Sequence, residues 1–223
     1  MRAEGFSKPI EVFPLGVDTS HFRKFSVPHV KTRLNLDGKF VVGYIGRLLK
    51  IKGVSLLIEM LRVLPDEVHL LIIGSGPERP RLQALAADYR LESRIHYLGA
   101  VPYAELPQYL NCMDLGILPS KTTKRWKEQF GRALVELMSC EIPVIGSDSG
   151  SIPEVIGQAG WLFPEHNVQE LVRLVRMLQA HPAQRKAAAK RGRARVIAHY
   201  SVEIMAEQFL TMYRQLTSSG VLS

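Results

Sequence analysis

The stretch FVVGYIGRLLKIKG, residues 40–53, decides how the rest of the chain is read. Its first six residues, Phe40–Ile45, are mostly apolar at odd and even positions alike, as a strand covered on both faces requires. Gly46 ends the run. Val54, Leu57, Ile58 and Leu61 then repeat at i, i+3, i+4, i+7, the period of a helix with one buried stripe. The same alternation recurs outward from there. Val68–Ile73 precedes the stripe Leu82, Leu85, Ala86, and Ile95–Leu98 precedes Leu106, Tyr109, Leu110. Leu115–Leu118 precedes Ala133, Leu134, Leu137, Met138, and a fifth run, Pro143–Ile145, follows. Strands alternating with helices fold as βαβ units with right-handed crossovers, so the expectation is an open, doubly wound parallel α/β sheet.

The two ends differ from this middle. Residues 1–32 carry Pro9, Pro14, Gly16 and Pro28 with little periodicity, and read as a linker plus one extended piece. Residues 167–217 read as all helical, ending in an apolar stripe of Met205, Phe209, Met212, Tyr213 and Leu216 that needs a partner surface. The expected division is a linker at 1–32, a main domain at 33–200 and a terminal helix with its tail at 201–223. The chain has 223 residues, 46% of them apolar and 22% charged, which excludes collagen-like, disulfide-scaffold and disordered classes. No apolar run reaches the ~20 residues of a bilayer span, and the first residues lack the apolar core of a signal peptide. Cys112 and Cys140 have no CxxC spacing, so a cytoplasmic setting is expected.

The net charge is +8, from 29 Lys and Arg against 21 Asp and Glu. Such a surface favours phosphorylated ligands or an anionic membrane face, and gives no specific ground for nucleic acid. The candidate anion site is the turn after the first strand. Gly46 lets backbone amides approach an anion, Arg47 can fork two phosphate oxygens, and Lys52 adds a mobile point charge. A turn with two solvated cations has the same spacing. Gly74-Ser75-Gly76-Pro77 is either a plain strand-to-helix turn or bare backbone against which a planar base packs. Glu128-Gln129-Phe130-Gly131-Arg132 leads into a helix carrying Glu136, with Gly131 at the junction. Carboxylates accept well from the vicinal hydroxyls of sugars and riboses, although helices also carry solvated Glu. The basic run Lys121–Lys127 holds one aromatic, Trp126, and reads as a loop that covers a diphosphate, touches an anionic acceptor or is merely solvated; a helical cluster from Arg173 to Arg195 reads as a solvated face, with peripheral membrane contact the minority reading. None of the six Asp forms a DxD pair, and HExxH, GxSxG and clustered His are absent, so no metal or Ser-nucleophile chemistry is expected.

In their order and spacing these motifs resemble the retaining glycosyltransferases of family 4, whose GT-B fold sets two Rossmann-like domains face to face. The likeness begins at Pro14-Leu15-Gly16-Val17-Asp18 with Phe22, and continues through Gly46-Arg47, Lys52-Gly53, Gly74–Pro77 and Leu118–Ser120. It culminates in Glu128 and Glu136, the E-x7-E spacing, followed by Pro143–Asp148 and Pro153–Val155. The resemblance implies the donor-binding, C-terminal half of that fold and a metal-free transfer from a nucleoside-diphosphate sugar, UDP- or GDP-linked. Arg47 and Lys52 would hold the diphosphate and Glu128 the donor sugar. Glu136 would accept from the ribose, and the amides near Phe130 and Gly131 would lie by the phosphate, with Gly46 and Gly76 also at the nucleotide.

It also implies an absent partner: an N-terminal acceptor-binding half, without which the chain binds nucleotide but transfers nothing. The terminal stripe resembles the helix that crosses toward that half, and exposed it would serve as a dimer surface. Leu15, Gln129 and Ser151 depart from the residues frequent at those places, and Gln129 puts the identity of the sugar in doubt. Alternative functions are a non-catalytic nucleotide-sugar-binding module, an epimerase of the same architecture, or a protein that meets anionic surfaces. Synthesis of cell-surface polysaccharide or glycolipid is the family's common setting, and a lipid-linked acceptor would place the protein at the membrane's inner face.

Overall fold

A computed structural model describes residues 10–218; the outer parts of the expected linker and tail, at 1–9 and 219–223, lie outside the described residues. Six strands form one sheet: β1 (Phe40–Ile45), β2 (Val68–Ile73), β3 (Ile95–Gly99), β4 (Leu115–Leu118), β5 (Val144–Ser147) and β6 (Trp161–Phe163). Their order is β3-β2-β1-β4-β5-β6, and every pairing is parallel. This is a Rossmann-like sheet, as expected. β1 and β2 are buried at all six positions, and β4 and β5 at all four, because helices cover both faces.

The crossover helices are α2 (Ser55–Leu61), α3 (Arg79–Asp88), α4 (Leu106–Leu110), α5 (Arg132–Ser139) and α6 (Ile152–Ile156). Each of the first four stripes read from sequence lies on one of these helices. Three differences have local causes. β5 begins at Val144, because Pro143 has no N–H to give the ladder, and runs on to Ser147, because Gly146 and Ser147 pair with Leu162 and Phe163 of β6. β6 itself has three residues on the sheet's edge and buries only Phe163 fully, too short and too exposed to leave a period. In the linker, Pro28 starts a six-residue helix, α1 (Pro28–Arg33), in which Val30 alone is buried.

The helical end comprises α7 (Val168–Ala180), α8 (Pro182–His199) and α9 (Val202–Ser218). The extended piece of the linker meets it: Val17 bridges Ser201, with Val17 N–H donating to the Tyr200 carbonyl at 2.8 Å. Farther along, Phe22 is fully buried and Phe13 stacks on Phe209 of α9 at 4.5 Å. Elsewhere on the α9 stripe Met205, Met212 and Leu216 are half-buried and Tyr213 is 57% exposed. The basic cluster is largely structural. Arg173 pairs with Glu170, while Arg176, Arg185, Arg191, Arg193 and Arg195 each donate to backbone carbonyls of neighbouring segments. Among the described residues no helix is long and apolar enough to cross a membrane.

Candidate active site

The order of strands reverses between β1 and β4, and beyond their carboxyl ends opens a cleft of about 410 Å3. That switch point is where an open α/β sheet takes its ligand. Three segments wall the cleft: the turn after β1 with Gly46, Arg47 and Lys52, the loop after β4 with Glu128, and the start of α5 with Gly131, Arg132 and Glu136. Seven chain positions spread over 90 residues of sequence thus face one space, six of them expected site residues.

Tyr44 secures the first wall. Buried at the end of β1, it donates its phenolic O–H to the Arg47 carbonyl at 2.9 Å. Burial, and next the charge of Glu128, push its phenol above the usual range. Arg47 is exposed, and among the described residues its guanidinium has neither a hydrogen bond nor an ion pair. Lys52 ends a 3-10 turn, Lys50–Lys52, which Gly53 caps in the left-handed region at φ 68°. A Cβ at Gly53 would stand 2.0 Å from the Pro119 carbonyl oxygen, so the turn lies directly on the end of β4.

That contact delivers Lys52 to Glu128. Nζ donates to Glu128 Oε2 at 2.6 Å, and Ser120 Oγ donates to the same oxygen at 2.6 Å. The two paired side chains are only 14% and 8% exposed. An ion pair this dry depends on its hydrogen bonds, and losing one partner strands the other charge. Gly150 fixes the backbone behind Glu128: at φ 56° it brings its Cα so close that a Cβ would lie 2.0 Å from the Glu128 carbonyl oxygen, which also accepts from Ser151 N–H at 3.0 Å.

Glu136 has a different neighbourhood. It is buried inside α5, and its partner is Arg132, one turn earlier, with Nε 3.1 Å from Oε1. Burial raises its carboxyl to about 7, against the pull of the Arg132 charge. Arg132 in turn donates to Tyr103 Oη at 2.8 Å. At the junction Gly131 adopts φ 80°, and the first turn of α5 opens into the cleft. Free amides and the helix dipole there favour an anion.

Two expected site residues do not line this cleft. Gly76 sits in a loop tied to the backbone next to Arg47, where Leu48 N–H donates to the Ser75 carbonyl at 2.8 Å and Glu78 N–H to the Leu48 carbonyl at 3.1 Å. The Phe130 ring turns to the far side and meets Tyr200 edge-on at 5.7 Å, in a neighbouring cavity of about 450 Å3 bounded by Pro14 and Arg195. Conversely, the sequence reading assigned no role to Ser120, Tyr103 or Gly150. The i, i+4 spacing of Arg132 and Glu136 was the one available signal for that ion pair.

The site is thus a cleft at the switch point of a Rossmann-like sheet, walled by a basic turn and two buried carboxylates. Residues 29–195 match the family model for glycosyl transferases group 1, and the chain belongs to that family, as the C-terminal domain of a GT-B glycosyltransferase. The GDP-mannose-dependent monoacylated alpha-(1-6)-phosphatidylinositol monomannoside mannosyltransferase of Corynebacterium glutamicum is 33% identical over 218 residues, covering 92% of this chain and 56% of that protein. The Anabaena protein HepE in complex with UDP superposes with a TM-score of 0.84 at 25% identity, covering 90% of this chain and 56% of that one. The C-terminal domain of a group 1 glycosyl transferase from Francisella tularensis gives 0.73 at 25% identity, covering 84% of this chain and all of that one. The chain spans about half the length of the curated relatives it matches.

Proposed function

We propose that this chain is the donor-binding domain of a retaining, family 4 glycosyltransferase that uses a UDP- or GDP-linked sugar. The observation that carries the reading is the convergence of Arg47, Lys52, Glu128 and Glu136 on one cleft at the amino end of α5. Arg47 and Lys52 hold the diphosphate. As the bond from the anomeric carbon to the leaving phosphate breaks, negative charge grows on that phosphate, and cations fixed there stabilise the transition state; one such group is worth ~3 kcal/mol of barrier. Glu128 meets the donor sugar, and Glu136 accepts from the ribose hydroxyls. The backbone around Gly46 and Gly76 and the amides at Phe130–Gly131 complete the nucleotide's surroundings without a metal.

The relatives differ in base: the Corynebacterium protein is named for GDP-mannose, the Anabaena structure holds UDP. The acceptor is a growing cell-surface polysaccharide or glycolipid, met in the cytoplasm at the inner face of the membrane. Residues 33–200 form the donor unit, and 1–32 with 201–223 lead to an acceptor-binding half supplied outside these 223 residues. The α9 face that exposes Phe209 and Tyr213 packs against that half, and without it pairs two copies of the chain. By itself the chain binds nucleotide and does not transfer.

Calorimetric titration with UDP, GDP and ADP tests this, repeated with Glu136→Ala. Selective binding of one nucleotide, abolished in the variant, is the expected result, and at 100 times the dissociation constant it adds ~2.7 kcal/mol of stability. For a chain of this size that is a rise in Tm of roughly 5–10 °C. Binding of no nucleotide, alone or with an acceptor half added, sinks the reading.

A further inference from the structure

Lys52 has a second neighbour besides Glu128. The basic run Lys121–Lys127 leaves the end of β4 and is pinned at its base: Lys121 N–H donates to the Ile51 carbonyl at 2.8 Å, and Thr122 N–H donates to Glu165 Oε2 at 2.6 Å. The Thr122 hydroxyl donates to the other oxygen of the same carboxylate. Above this base, Thr123 N–H donates to the Trp126 carbonyl at 2.7 Å and closes a tight turn. The turn sets the Trp126 ring with its centroid 4.7 Å from Lys52 Nζ. An ammonium at that distance is attracted by the negative face of the indole.

The contact has a purpose that Glu128 alone does not serve. Lys121, Lys124, Arg125 and Lys127 belong to the same run as Trp126, so the loop that meets Lys52 is itself cationic and its indole is the group in it that attracts an ammonium. A second carboxylate would hold Nζ but compete with an incoming phosphate. The ring face holds it without taking a hydrogen-bond donor and without a fixed direction, so Nζ can shift by an ångström or so. We propose that Trp126 is a positioning residue for Lys52: ring and carboxylate keep the ammonium at the cleft, and an entering diphosphate takes it from Glu128 while the ring retains it. This rests on the donor-site reading above.

The chain has two Trp, so Trp161→Phe leaves Trp126 as the sole indole emitter. In that background Lys52→Met is expected to change the Trp126 emission in the absence of any nucleotide, and the nucleoside diphosphate that binds best is expected to change it with the affinity found by calorimetry. Trp126→Leu is expected to weaken that nucleoside diphosphate about fivefold, and Trp126→Phe, which keeps a ring face, less than twofold. The corresponding nucleoside, without phosphates, binds all three chains alike. Equal losses for Leu and Phe, or a nucleoside weakened as much as its diphosphate, overturn the proposal. So does an emission that ignores Lys52→Met. If no nucleoside diphosphate binds even the parent chain, the donor reading fails and the positioning role goes with it; the emission experiment then still registers the Lys52–Trp126 contact separately.

Discussion

The two ends of α5 use positive charge in opposite ways. At its carboxyl end, Arg193 of α8 spends its guanidinium on protein: Nη1 donates to the Phe22 carbonyl at 2.8 Å and also to the Ser139 carbonyl, and Nη2 donates to the Thr19 carbonyl at 3.0 Å. Ser139 Oγ adds a bond to the same Phe22 carbonyl at 2.6 Å. A cation fits there, since the last carbonyls of a helix are unpaired and its dipole is negative. At the amino end the helix supplies the opposite potential, and two cations beside it are unsaturated: among the described residues the Arg47 guanidinium has neither a hydrogen bond nor an ion pair, and Lys52 is shared between one carboxylate and one ring. A cation whose donors are filled by carbonyls belongs to the fold. One that faces an open helix terminus beside another unfilled cation is, on the proposed donor-site reading, the one that meets an anion.

The largest expected effect breaks the first end. Arg193→Ala leaves the carbonyls of Thr19, Phe22 and Ser139 without their charged donor, at a cost of ~3 kcal/mol. Urea or thermal unfolding is expected to register this as a Tm roughly 6–12 °C lower. Nucleotide affinity below the transition stays unchanged. A parallel loss of affinity would mean that the two ends of α5 do not act separately.

The second break is at the other end. Arg47→Ala removes an exposed side chain with no partner among the described residues, so stability is expected to change by less than ~0.5 kcal/mol. Binding of the nucleoside diphosphate is expected to weaken ~10- to 100-fold, the worth of a charged hydrogen bond to phosphate. An unfolding curve and a titration on the same sample separate the two quantities. A destabilised variant with intact affinity would place Arg47 with the structural arginines.

What could be read from sequence follows the same division. The four central strands and the stripes of α2 to α5 were legible because a doubly covered sheet forces apolar residues at every position and a covered helix at every third or fourth. The edge strand β3 was still legible from its apolar run Ile95–Leu98, whereas β6, only three residues long, and α1, each with one fully buried side chain, left no pattern. In the site, residue types were legible but partners were not. Lys52 and Glu128 stand 76 residues apart, and their contact depends on how the Gly53 turn lies on Pro119. Phe130, adjacent to Gly131 in sequence, faces the other way because the left-handed backbone at Gly131 redirects the chain into α5.

The smallest effect sharpens the contrast between the two carboxylates at the amino end. Glu128 receives two short hydrogen bonds on one oxygen, whereas Glu136 has one partner, the half-exposed Arg132, and burial lifts its carboxyl from 4.5 to about 7. The folded chain therefore holds a proton that the unfolded chain releases near pH 4.5. Stability from this group is full below that pH, falls as pH rises, and is gone above about 7. Glu136→Gln is expected to remove that fall, so the stability of parent relative to variant declines across the window. Ligand binding runs the other way, because ribose hydroxyls donate best to the ionised carboxylate. A nucleotide-sugar, whose diphosphate diester does not titrate near neutrality, is expected to bind the parent chain several-fold more tightly at pH 8 than at pH 6, with ~10-fold as the ceiling if only the ionised form binds. Glu136→Gln flattens the profile. A parent affinity that is level from pH 6 to 8 would remove Glu136 from the ribose and leave its ion pair with Arg132 as a feature of α5 alone.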